Sequence, residues 1–232
     1  MKKAPYLLLV LLCIFSGCRG RRVAPASQPV PLADTAASFV PVFTSAPLPD
    51  SVVARMRGVS YPEGAGIRLD DLRYLRLSHI GFDGRPKVGE MVCNRAVAED
   101  LVAIFKALYE ARYPIRSIRL IDDFGGDDDA SMEADNTSCF NYRRKTGMTS
   151  LSKHALGLAV DVNPLENPYV RGSRVKPAGS AAFADRSKDF PHKIDKNDLC
   201  YRLFREHGFS WGGSWRSVQD FQHFEKKPDI SK

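Results

Sequence analysis

Four residues towards the C-terminal end of the 232-residue chain carry side chains suited to metal chemistry. They lie in Ser152-Lys-His154-Ala-Leu-Gly157-Leu-Ala-Val-Asp161 and in Asp220-Phe-Gln-His223-Phe224. Both stretches are otherwise largely apolar, and a carboxylate buried in such surroundings is costly unless a cation meets it. Two imidazoles and one carboxylate form a zinc ligand set that leaves a fourth tetrahedral position for water, the catalytic rather than the structural arrangement. His154, Asp161 and His223 are therefore the candidate metal ligands. Asp220 is the candidate general base, placed to take a proton from a water whose pKa zinc lowers to roughly 7 and to return it to a leaving amine.

The surrounding residues say how these groups must be held. Leu158-Ala-Val-Asp161-Val-Asn-Pro164 predicts a strand ended by proline, with Asp161 on the face of Ala159 and opposite Val160 and Val162. Gly157 permits a close backbone or ligand approach just before it. Gly157 and the β-branched valines argue against one helix joining His154 to Asp161, so a loop histidine folded back over a strand aspartate is expected. Asp220 and His223, three apart, fall on opposite faces of a straight strand. If both serve one site, the chain must turn between them.

Upstream, Leu75, Leu77 and His79 alternate with Arg76, Ser78 and Ile80, a strand pattern. Asp83-Gly84 is a hairpin signal, with Val88 to Val92 as the return strand. Asn94 is placed to cap a helix whose inner face is Val97, Leu101, Ile104, Phe105 and Leu108, ending before Pro114. Ile115 to Ile121 is a further strand candidate. A second helix is expected from Asn197 to His207, with Leu199, Leu203 and Phe204 inward and Gly208 as its C-terminal cap. Strands and helices without regular βαβ alternation predict an α+β fold, a small antiparallel sheet with flanking helices.

The first residues have the form of a targeting segment. Lys2 and Lys3 precede an apolar run, Leu7 to Phe15, too short to span a bilayer as an ordinary helix. Phe15-Ser16-Gly17-Cys18 resembles a bacterial lipoprotein lipobox, with Phe15 in place of the usual leucine. The expected organisation is a signal peptide over 1–17, a Pro/Ala/Ser-rich tether over 18–49 and one catalytic domain over 50–232. Lipid on Cys18 would anchor the domain to a membrane in the cell envelope; without it the chain would be secreted into the periplasm. Cys93, Cys139 and Cys200 then remain, and at most one disulfide joins two of them. The net charge of +7 is diffuse and has no basic run interleaved with aromatics, so nucleic acid is not an expected partner. A monomer is expected.

The combined motifs resemble the M15 family of zinc peptidases, the D-alanyl-D-alanine carboxypeptidase-like and L-alanyl-D-glutamate endopeptidase-like enzymes. The resemblance spans roughly residues 70 to 226. It rests on Asp122-Asp-Phe-Gly-Gly-Asp-Asp-Asp129, Asn136-Thr-Ser-Cys-Phe-Asn-Tyr-Arg143, Ser152 to Asp161, Trp211-Gly-Gly-Ser-Trp215 and Asp220 to Phe224, in that order. It implies a Hedgehog/DD-peptidase-like zinc peptidase fold, Zn2+ held by His154, Asp161 and His223, and Asp220 as base. It also implies an active-site role for Arg143, which would steady an oxyanion or hold a substrate carboxylate. The implied substrate is a peptidoglycan stem peptide, cut to release terminal D-alanine. Cleavage between L-alanine and D-glutamate is the alternative reaction, and an inactive metal-bearing wall-binding module the alternative class.

Two other signals carry less. Ser150-Leu-Ser-Lys153 and Lys145-Thr-Gly147 fit S-x-x-K and K-T-G, but in an order and spacing that cannot build a serine penicillin-binding site. Asp127-Asp128-Asp129 lacks calcium-loop spacing and is expected to be a solvated acidic loop.

Overall fold

The computed structural model describes residues 39–144 and 149–227. The expected signal peptide, Cys18 and most of the tether lie outside these residues, as does Lys145-Thr-Gly147. No described helix is long and apolar enough to cross a membrane.

The first strand, β1 (Phe43–Ala46), is followed by α1 (Asp50–Met56) and by a long hairpin of β2 (Leu72–Ile80) and β3 (Pro86–Asn94). These strands form an antiparallel sheet in the order β1-β2-β3. The expected boundary of the tether is thus corrected: residues 43–46 are an edge strand, with Phe43 opposite Leu77 and its ring 5.5 Å from that of Tyr109. Pro41 and Pro47 flank the strand, where missing N–H groups cost an edge little.

The hairpin turns at Asp83-Gly84, with Gly84 at φ 72° and the strands closing at Ile80 opposite Pro86. Asn94 Oδ1 accepts from Ala96 N–H at 3.0 Å and opens the turn into α2 (Ala98–Glu110). Leu101, Ile104, Phe105 and Leu108 of α2 are fully buried. Each such side chain contributes about 1.5–3 kcal/mol of burial. The helix packs on β1, β2 and α4 (Leu199–Glu206), which Asp198 caps by accepting from Cys200 N–H at 2.8 Å. In α4 it is Cys200 and Phe204 that are fully buried, while Leu199 and Leu203 are only partly so.

The strand expected over Ile115 to Ile121 shrinks to β4 (Ser117–Ile118), parallel to β5 (Asn136–Thr137), with α3 (Asp128–Glu133) between them. The cause is local. The Asn136 side chain accepts from Arg119 N–H at 2.9 Å and donates to its carbonyl at 3.1 Å, taking both groups that a longer ladder would use.

Two further antiparallel sheets frame the C-terminal half. One joins β6 (Ala159–Asp161), β11 (His223–Glu225) and β9 (Ser210–Trp211), in the order β6-β11-β9. The other joins β10 (Gln219–Asp220) to the hairpin β7 (Tyr169–Arg171) and β8 (Arg174–Lys176). The described residues are therefore α+β, with three small antiparallel sheets, the parallel β4–β5 pair and flanking helices. Cys93, Cys139 and Cys200 are buried free thiols, pushed up in pKa by that burial.

His79 of β2 is buried, and neither ring nitrogen has a hydrogen-bond partner among the described residues. Burial lowers its pKa to about 4, with Lys87 across the hairpin adding to the effect. An unfolded histidine binds its proton near 6.5 and the folded one only near 4. Between those values the unfolded state holds more protons, so stability falls as pH falls through the window, by roughly 3 kcal/mol for this group. Urea unfolding at pH 7 and pH 4 should show that loss in the native chain and a smaller loss in His79→Leu.

Candidate metal site and cleft

The site is assembled from strand register. In the antiparallel β6–β11 pair, His223 stands directly opposite Asp161. His223 Nδ1 lies 3.0 Å from Asp161 Oδ1. His154 sits in a single 3-10 turn, His154–Leu156, that closes on Gly157 and feeds β6. This brings His154 Nε2 to 3.2 Å from Asp161 Oδ2 and 3.2 Å from His223 Nδ1. The expected loop histidine folded over a strand aspartate is what the structure contains.

Gly157 is needed twice. Its φ is 63°, and a Cβ there would lie 2.5 Å from the Asn94 backbone nitrogen. Gly157→Ala should cost more than about 1 kcal/mol of stability, because strain and a backbone clash add. A denaturant midpoint equal to that of the native chain would contradict this.

Between Asp220 and His223 the chain leaves one sheet for the other. Asp220 pairs with Tyr169 of β7, whereas His223 pairs with Asp161 of β6. The turn required between them is thus a switch of sheets at Phe221-Gln222. Gly212 packs beneath it: a Cβ there would meet the Asp220 carbonyl oxygen at 2.7 Å and Asp220 Cβ at 2.9 Å. That close approach accounts for the first glycine of Trp211-Gly-Gly.

Outer partners fix the imidazoles. His154 Nδ1–H donates to the Cys139 carbonyl at 2.6 Å, and His223 Nε2–H donates to Glu225 Oε2 at 3.3 Å. In the neutral tautomers this leaves lone pairs on His154 Nε2 and His223 Nδ1, which face each other and the Asp161 carboxylate. Such an array of acceptors is stable only with a proton or a cation among them. Without a metal, a proton serves: burial pulls His223 down, but Asp161 and Glu225 outweigh it and lift it to about 10. Burial raises Asp161, but the two histidines hold it far below the usual carboxylate range.

The donor set fits zinc. Ligands at 2.0–2.1 Å in a tetrahedron lie roughly 3.3 Å apart. His154 Nε2 and His223 Nδ1 are 3.2 Å apart, and a different Asp161 oxygen faces each, Oδ2 at 3.2 Å from His154 and Oδ1 at 3.0 Å from His223; with one atom per residue the three donors lie within 4.8 Å of one another. His154, Asp161 and His223 thus make a group able to hold a metal ion.

Asp220 is not part of this trio. It lines the same cleft, and its Oδ1 is buried with no hydrogen-bond partner among the described residues. Burial raises its pKa; His223 pulls the other way and Asp161 pushes with it, leaving the carboxyl at about 6. Arg143 also lines the cleft and forms an ion pair with Asp128. The acidic run keeps Asp127 and Asp129 exposed, but each of its three residues has a partner. Asp127 caps α3, Asp128 holds Arg143, and Asp129 accepts from Lys176 Nζ at 2.6 Å. The cleft is about 460 Å³ and is also bordered by Trp215, Tyr169 and Glu225.

Sequence reasoning missed Glu225 and Asp128. Glu225 was within reach, since a residue two after His223 on a strand shares its face. Asp128 was not, because nothing in the spacing of residues 128 and 143 pairs them.

Residues 146–226 match a family model described as D-alanyl-D-alanine carboxypeptidase, of the peptidase M15 group. This segment, about a third of the chain, is similar to the M15 peptidases. The M15 segment contains His154, Asp161, Asp220 and His223, and begins just after Arg143. No curated protein and no solved structure matches the chain. The similarity supports a peptidase of the M15 kind.

Proposed function

We propose that the chain is a zinc-dependent peptidase of peptidoglycan stem peptides that releases the C-terminal D-alanine. The convergence of His154 Nε2, His223 Nδ1 and the Asp161 carboxylate, with a separate buried carboxylate, Asp220, lining the same cleft, carries this reading. The matched family's description favours the carboxypeptidase reaction.

His154, Asp161 and His223 would hold the ion, with the Cys139 carbonyl and Glu225 orienting the two rings. Bound zinc supplies Lewis acidity and a water acidic enough to react at neutral pH. Asp220, as a carboxylate at neutral pH, would accept a proton at Oδ1 and later give it to the departing amine. Asp128 orients the Arg143 guanidinium, whose remaining N–H groups are offered to a developing oxyanion or to the terminal carboxylate. A binding module has no need of Asp220, so that residue weighs against an inactive wall-anchoring domain.

On this reading the fold is of the Hedgehog/DD-peptidase type and the protein works as a monomer. Lys2, Lys3 and the run to Cys18 support a cell-envelope address with lipid on Cys18.

Mass spectrometry of purified muropeptides incubated with the zinc-loaded chain tests the reaction. Loss of one terminal alanine is expected. A new end between L-alanine and D-glutamate would make the chain an endopeptidase. Intact muropeptides with a full equivalent of zinc bound would make it a binder.

A further inference from the structure

The hairpin β7–β8 presents a second set of charges to the cleft. Tyr169 and Arg171 lie on one face of β7, and register sets Lys176 opposite Tyr169 and Arg174 opposite Arg171. These four line the cleft, while Val170 and Val175 take the other face. The turn between the arginines is only Gly172-Ser173, with Gly172 at φ 58°.

The cations of the cleft differ in whether they are already neutralised. Arg143 is held by Asp128, and Lys176 by Asp129 at 2.6 Å. Arg171 and Arg174 are exposed and have no ion pair or side-chain hydrogen bond among the described residues. Two like charges directly opposite on paired strands are mutually destabilising. Here the repulsion is placed at the mouth of a cleft, where an anion between the two guanidiniums would relieve it.

We propose that Arg171 and Arg174 form an anion subsite that binds a free carboxylate on the peptide substrate, about two residues from the bond that is cut. The spacing follows from β7: Tyr169 is the register partner of Asp220, and Arg171 lies two residues further along the same face, roughly 7 Å at strand rise. An extended peptide crossing the cleft covers the same distance in two residues. The assignment rests on the peptidase reading for its substrate class. It goes beyond that reading in naming hairpin residues that select acidic over amidated peptides.

The test compares two fluorescently labelled stem peptides that differ only in whether that carboxylate is free or amidated. Binding to the zinc-loaded full chain is read by fluorescence anisotropy, and cleavage is followed in parallel. The native chain should bind the acid at least about tenfold more tightly than the amide. R171Q/R174Q should lose that preference, leave amide binding unchanged and keep kcat while KM for the acid rises. R171K/R174K should restore part of it. Thermal unfolding of R171Q/R174Q should be no lower than native, because a repulsive pair has been removed. Equal affinity of the native chain for acid and amide would overturn the subsite, whether or not either peptide is cut. Tight binding of glycerol phosphate oligomers with no acid preference would also overturn it and make the ligand a phosphate. Acid-selective binding without any cleavage would keep the subsite and sink the peptidase reading instead.

Discussion

Asp220→Asn is expected to lower kcat by about 10²–10⁴-fold while the zinc content of the protein stays at one equivalent. The substitution keeps the shape of the side chain and removes its ability to take a proton. Asp220 is not a member of the group that could hold the ion, His154, Asp161 and His223. Its Oδ1 has no partner to lose, so Asn leaves no new buried group unpaired by that oxygen. Metal analysis and steady-state kinetics on one preparation separate the two effects. Native turnover in the variant would remove Asp220 from the chemistry, and loss of zinc would make it a ligand.

His223→Ala should abolish both metal binding and turnover. It deletes one of three donor atoms and leaves Asp161 facing His154 alone across 3.2 Å. Glu225→Gln should do less, because it touches only the outer hydrogen bond on His223 Nε2. Such outer partners change metal affinity by about 10–100-fold, and a directly bound ligand should exceed that. Competition against a chromogenic chelator measures both variants on one scale. Equal affinities for His223→Ala and the native chain would contradict the ligand assignment.

The sequence disclosed the reactive groups more readily than their arrangement. Periodicity marked the β2–β3 hairpin and α2, since nine-residue strands and a thirteen-residue helix repeat their pattern often enough to be read. The strands of the site run to two or three residues, too short for any period. That Asp161 and His223 are register partners across 62 positions is a tertiary fact. The need for a turn after Asp220 followed from spacing, but the switch between two sheets did not. Phe43–Ala46 was hidden by the prolines on either side, and its pairing to β2 becomes visible only once the long hairpin exists. The free and paired cations of the cleft were equally unreadable, because Asp128–Arg143 and Asp129–Lys176 join residues from separate elements.

The most direct measurement is a zinc titration of the metal-free full chain, following release of alanine from a defined stem pentapeptide. Activity should rise in proportion to added zinc, stop rising at one equivalent, and stay absent at every zinc concentration in His223→Ala. Undiminished cleavage by the metal-free chain, or one tightly bound equivalent of zinc with no cleavage, would contradict a catalytic metal site at His154, Asp161 and His223.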